Sequence, residues 1–159
     1  MSYPEAHYHG EHGEVSARFR PVGQDPDFVS PGGTRIHYLA TGASSRGQVG
    51  LYRYEMSAVP GGPGPHFHRT ISESFFVLTG MVRVFDGDHW VDTAPGDFMF
   101  VPEGGIHGFR NDSGEPASML ILFAPGAPRE AYMEQVGQVS RLTDEERAAF
   151  YVEHDTYWT

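Results

Sequence analysis

Residues Pro60–Gly80 read PGGPGPHFHRTISESFFVLTG, and the placing of two histidines and one carboxylate in that stretch decides the fold. His66 and His68 are separated by a single residue, and Glu73 follows five residues after His68. On an extended strand alternate side chains share a face, so both imidazoles point one way and Phe67 points the other. A metal ion needs that geometry from two ligands on one strand. Imidazole nitrogen with carboxylate oxygen suits Fe, Mn, Ni, Co or Zn rather than Ca or Mg. A Gly/Pro loop leads in, an apolar β-rich run follows, and Gly80 closes it.

The flanking sequence carries a strand signal at short intervals. TRIHYLA, from Thr34, has the β-branched and aromatic content of a strand. GLYRYEMSAV alternates Tyr52, Tyr54, Met56 and Ala58 against Arg53, Glu55 and Ser57, a period of two. Beyond Gly80, MVRVF and HWVDT flank the hairpin turn Asp86-Gly87. Ala94-Pro95-Gly96-Asp97 places Pro and Gly where a type II turn wants them. DFMFVP, IHGFRN and ASMLILFAP complete the series. Short strands separated by Gly/Pro turns predict an all-β sandwich or closed barrel over residues 34–125.

The two ends differ. Residues 1–33 are rich in Gly, Pro, His and acidic residues without periodicity, and are expected to be an arm, partly flexible. His7, His9 and His12 in it read as solvated rather than as ligands. His37, alone in its strand, reads as a packed, hydrogen-bonded side chain. Residues 126–159 shift to helix: PREAYMEQV suits a short one, and Thr143 to Glu146 spells a capping box. The aromatic tail Phe150, Tyr151, Tyr157 and Trp158 is expected to pack on the β unit or on a partner subunit.

Composition prunes the chemistry. At 159 residues the chain suits one domain, and a formal charge of -10 argues against nucleic acid or an anionic membrane as partner. There is no cysteine, which removes disulfides, thiolate catalysis and iron–sulfur clusters. All 11 basic residues are arginine, so no lysine is available for Schiff-base chemistry or a Walker phosphate loop. No apolar run reaches membrane-spanning length, and a cytoplasmic location is the expectation.

A second constellation, Gly96–Asn111, reads GDFMFVPEGGIHGFRN. Together the two stretches resemble the two motifs of the cupin superfamily, G-x5-H-x-H-x3-4-E-x6-G and G-x5-P-x-G-x2-H-x3-N. His66, His68, Glu73 and Gly80 match the first; Gly96, Pro102, Gly104, His107 and Asn111 match the second at every spacing. Pro60 stands in the place of the leading glycine, with Gly61 and Gly62 beside it. Asn111 is the only asparagine in the chain.

The resemblance implies a single cupin barrel, a double-stranded β-helix, with short C-terminal helices. It implies one divalent transition metal per chain, held by His66, His68, Glu73 and His107, with open positions left for chemistry. Phe75, Val77 and Phe109 share strand parity with the ligands and are expected, with Tyr54, to line the substrate pocket. The chain is similar in outline to bacterial quercetinase-like monocupins. That likeness implies a metal-dependent dioxygenase whose partners are dioxygen and an aromatic or enolic small molecule such as a flavonol, with Glu73 accepting the substrate proton. The alternatives are a metal-dependent isomerase, cyclase or lyase, or a cupin that binds a small ligand without turnover. A homodimer is expected from the resemblance and from the need to cover β edges.

Overall fold

The alternating apolar residues of the central segments build one long antiparallel sheet. The structure is a computed structural model describing residues 2–159. Its first strands are β1 (Phe28–Val29), β2 (Arg35–Ala40), β3 (Gly50–Met56), β4 (His66–Phe67) and β5 (Ser72–Thr79). Then come β6 (Arg83–Phe85), β7 (Trp90–Asp92), β8 (Phe98–Val101), β9 (Gly108–Arg110) and β10 (Ala117–Ala124). Helix α1 (Arg129–Gln135), a 3-10 segment (Val136–Arg141), α2 (Asp144–Glu153) and β11 (Tyr157–Trp158) finish the chain.

A six-stranded sheet runs in the order β1-β2-β3-β10-β5-β8. Tyr52 on β3, Phe75 and Val77 on β5, and Met119, Ile121 and Phe123 on β10 point inward and are buried. Against this face lies the three-stranded sheet β7-β6-β9, and Phe109 on β9 meets Phe75 and Tyr54 across the gap with ring centroids 5.6 and 6.0 Å apart. The core is the layer between the sheets.

The arrangement is that of a double-stranded β-helix, but the sheets do not close into a barrel by strand hydrogen bonds. β8 and β1 remain edges of the large sheet, while β11 and β4 form a separate pair. β1 also falls within the stretch expected to be a partly flexible arm, because Phe28 and Val29 find partners in Ile36 and Arg35. His7, His9 and His12 are exposed as expected. His37 is buried, with Nε2 3.2 Å from Glu55 Oε1.

The glycine-rich segment before His66 is not a free loop. Gly61 bridges Asn111, His66 bridges His107, and Phe109 N–H donates to the Pro63 carbonyl. The segment therefore lies alongside β9, and at Gly62 (φ +139°) an added Cβ would come within 2.1 Å of the Phe109 carbonyl oxygen. Only glycine fits that approach. Asn111 locks the far end: Nδ2 donates to the Ser57 and Glu115 carbonyls, and Oδ1 accepts from the backbone and hydroxyl of Ser113. Its place in the motif is thus explained by a saturated, buried hydrogen-bond set.

The capping box at Thr143 and Glu146 starts α2 as the sequence predicts. The aromatic tail returns to its own chain, with Tyr157 stacked on Phe67 at 5.2 Å and Trp158 at 5.3 Å from the His66 ring. No helix among the described residues is long and apolar enough to cross a membrane.

Candidate metal centre

Four elements bring the polar residues of the two motifs together. His66 lies on β4, His68 just past its end, Glu73 on β5, and His107 one residue before β9. The His66–His107 bridge exchanges two backbone hydrogen bonds of 2.8 Å each, which sets two imidazoles opposite one another on adjacent backbones. Phe67 faces away, as the period of two requires, and the ring centroids of His66, His68 and His107 lie 4.4–5.2 Å apart.

All four side chains are buried, and each offers one ligand atom such that the four atoms lie within 4.8 Å of one another. Glu73 Oε2 is 2.7 Å from His107 Nε2 and 3.1 Å from His68 Nε2. The opposite ring nitrogens are each fixed by a carbonyl: Nδ1 of His66 by Gly64, of His107 by Gly105, and of His68 by Asp155. A carbonyl oxygen only accepts, so each Nδ1 carries a proton and each Nε2 is the ring atom left to face a metal ion, once any proton it shares with Glu73 is displaced. Outer contacts of this kind orient metal-bound histidines and set their tautomer. Three inward lone pairs and a carboxylate fit a divalent transition ion as donor set and as geometry.

The electrostatics of the protein chain point the same way. Burial pushes the Glu73 carboxyl up, but hydrogen bonds from His107 and His68 outweigh it and hold Glu73 below its ordinary range. Burial pushes His66 down to about 4, so it is a neutral ligand at physiological pH. For His107 burial lowers the value, yet the bond to Glu73 and its charge raise it overall. Without metal, His107 and Glu73 thus form an imidazolium–carboxylate pair. The raised His107 contributes stability fully present below its ordinary 6.5 and lost as pH climbs through its folded value. The lowered Glu73 contributes stability present above its ordinary 4.5 and lost as pH falls through its folded value. Metal uptake must displace the His107 proton. Calorimetric titration of the metal-free protein with Zn2+ at pH 6 should therefore release roughly one proton per ion, with affinity rising with pH. Heats that do not vary with the buffer's ionisation enthalpy would contradict the pairing.

Around the cluster the walls are aromatic. Phe75 is 5.9 Å from the His107 ring and its contacts run on to Phe109 and Tyr54, so three of the four residues expected to line a pocket pack as one aromatic group, with Phe75 and Phe109 inside the hydrophobic core. Val77 is buried on the same face but two residues farther along β5, in register with Met119. On the other side Phe123 lies 6.3 Å from His68. Burial pushes the Tyr54 phenol above its ordinary range, which keeps it protonated.

Two contributors lie in the C-terminal segment, where no local pattern marks them. Asp155, at φ +50°, caps the ligand loop: its carboxylate accepts from the backbone N–H groups of Arg69 and Thr70 and from the Thr70 hydroxyl. Its carbonyl holds His68, so the tail sets the orientation of a ligand. Asp155→Ala should weaken metal binding about 10–100-fold, the usual effect of losing an outer-shell partner. A chelator competition titration measures this, and an unchanged affinity would show that the tail is dispensable. Arg129, at the start of α1, is the second; it is buried with its guanidinium over the rings of Phe123 and Tyr132.

Residues 54–123 match the family described as "Cupin domain". These residues form a cupin domain. A solved structure from Thermotoga maritima, described as a predicted oxalate decarboxylase, superimposes with a TM-score of 0.60 at 18% identity, covering 69% of this chain and 99% of that one. The polyketide cyclase RemF from Streptomyces resistomycificus gives a TM-score of 0.55 at 24% identity, covering 68% of this chain and 78% of that one. In sequence, the chain is 31% identical over 61 residues to quercetin 2,3-dioxygenase of Bacillus subtilis, covering 38% of this chain. The match spans 18% of that relative's length. The structural likenesses establish the cupin fold; the proteins that share it differ in activity.

Proposed function

We propose that this cupin is a metal-dependent dioxygenase acting on an enolic or aromatic small molecule of the flavonol kind. The observation that carries the reading is the convergence of four buried ligand atoms within 4.8 Å beside a wall of Phe75, Phe109 and Tyr54. The sequence likeness to quercetin 2,3-dioxygenase supports dioxygen as co-substrate.

His66, His68, Glu73 and His107 would hold the ion, which supplies a Lewis acid that lowers the pKa of a substrate hydroxyl. The rings of Phe75, Phe109 and Tyr54 receive a flat substrate and exclude water from it, and Val77 closes the apolar wall deeper along β5. Glu73 Oε2 is the basic oxygen of the cluster and accepts the substrate proton. The three carbonyl-bound Nδ1 atoms keep the imidazoles from turning while that proton moves.

An oxygen-electrode assay of the metal-loaded protein against quercetin and related enols tests the reading. Substrate-dependent dioxygen uptake with ring-cleaved product is expected. Product without uptake would replace it with isomerase or cyclase chemistry, for which the fold of RemF is the precedent. The absence of any product would leave a binding module.

The same reading includes a homodimer. Edge strand β8 exposes Phe98 and Phe100, and neighbouring β5 exposes Phe76, at 64, 59 and 41% of their surface. An apolar strand edge of this kind calls for a partner. Light scattering should give twice the chain mass, and a monomer would contradict it.

A further inference from the structure

We infer that Arg129 is an anion-binding residue of this site and that the ligand brings a carboxylate or enolate oxygen to it; the inference deepens the proposed small-molecule reading and rests on it. Arg129 is only 5% exposed. Its guanidinium carbon lies 5.2 Å from the Phe123 ring centroid and 4.3 Å from that of Tyr132, and Nη1 donates to the His154 carbonyl. Nε is buried without an acceptor, and among the described residues no carboxylate pairs with the group. The Nε atoms of Arg53 and Arg83 also lack hydrogen bonds, but each has a carboxylate at 3.1 and 2.8 Å respectively. Arg129 has none.

A buried cation without a counter-charge is unfavourable, and two aromatic faces with one carbonyl compensate it only in part. The Nε–Nη2 edge is the side of a guanidinium that receives a carboxylate in bidentate fashion, and here no protein group takes it. The position suits a ligand at the metal centre. The Phe123 ring under Arg129 is also the ring beside His68, and the two side chains bond the consecutive carbonyls of His154 and Asp155. A divalent ion outweighs the single negative charge of Glu73, so the loaded centre and Arg129 together favour an anion.

The test uses the full-length metal-loaded protein and calorimetric titration with acetate, pyruvate, benzoate and 2-naphthoate, each paired with its neutral amide. At least one acid should bind tenfold or more tightly than its amide. Arg129→Gln, which keeps a planar polar head between the rings, should lose that preference at least tenfold with metal content unchanged. Arg129→Lys should restore part of it, because the charge returns without the fork. If no acid is preferred, or if the preference survives Arg129→Gln, the inference is overturned. Repeating the titration on metal-stripped protein separates the two proposals. An Arg129-dependent acid preference there stands even where no turnover is found, whereas turnover with no such dependence retains the enzyme reading and removes this one.

Discussion

His107→Ala is expected to abolish activity and to lower metal affinity by far more than the ~10–100-fold that outer-shell changes cost. It removes one of four donors and also the 2.7 Å partner of Glu73. The metal-free variant should therefore be destabilised by roughly 3–5 kcal/mol, the cost of leaving a buried carboxylate without its paired charge. His68 at 3.1 Å softens the effect without removing it. In the wild-type chain, saturating metal adds further stability, about 4 kcal/mol at a thousandfold excess over Kd. Melting curves with and without Zn2+ should thus separate strongly for the wild type and coincide for His107→Ala. Equal metal-dependent shifts in both would remove His107 from the ligand set.

Glu73→Gln is expected to separate binding from chemistry. The three imidazoles remain, each oriented through its Nδ1 carbonyl bond, so most of the metal should be retained. Turnover should fall about 10²–10⁴-fold, the usual contribution of a positioned general base. Metal analysis and kcat on the same sample give both quantities. Full activity in this variant would remove Glu73 as the proton acceptor.

The ligand set was legible because its four members sit in two segments whose spacing survives folding unchanged. HxH on an extended backbone fixes two imidazoles by parity alone, and the Pro/Gly turn before His107 positions the fourth. Parity also turns Phe75 and Phe109 inward, since both continue strands whose register the four polar residues share, and both are buried. Closure of the barrel was not legible. Which strands remain edges depends on long-range pairing, and no local pattern in β8 or β1 announces it. PGGPG reads as a loop because glycine and proline disfavour strands, yet the segment lies against β9 through the Gly61–Asn111 and His66–His107 bridges. Arg129 and Asp155 were invisible for a related reason. Each acts through the docking of the C-terminal segment on β4 and β10, a contact set by shape rather than by sequence spacing.

The C-terminal segment packs directly against the metal-binding strand. β11 pairs with β4, the Asp155 carbonyl holds His68, and Arg129 lies over the Phe123 ring. The metal strand is held between the tail on one side and the His107 segment on the other, and the ligand geometry depends on both.

Three imidazole nitrogens and one carboxylate oxygen are expected to hold a single ion. Elemental analysis of protein purified without an affinity tag, before and after dialysis against Zn2+ or Ni2+, tests it most directly. About one transition-metal equivalent per chain is expected for the wild type and almost none for His107→Ala, following the ligand set. A wild-type protein that remains metal-free after reconstitution, or that binds equally without His107, would contradict it.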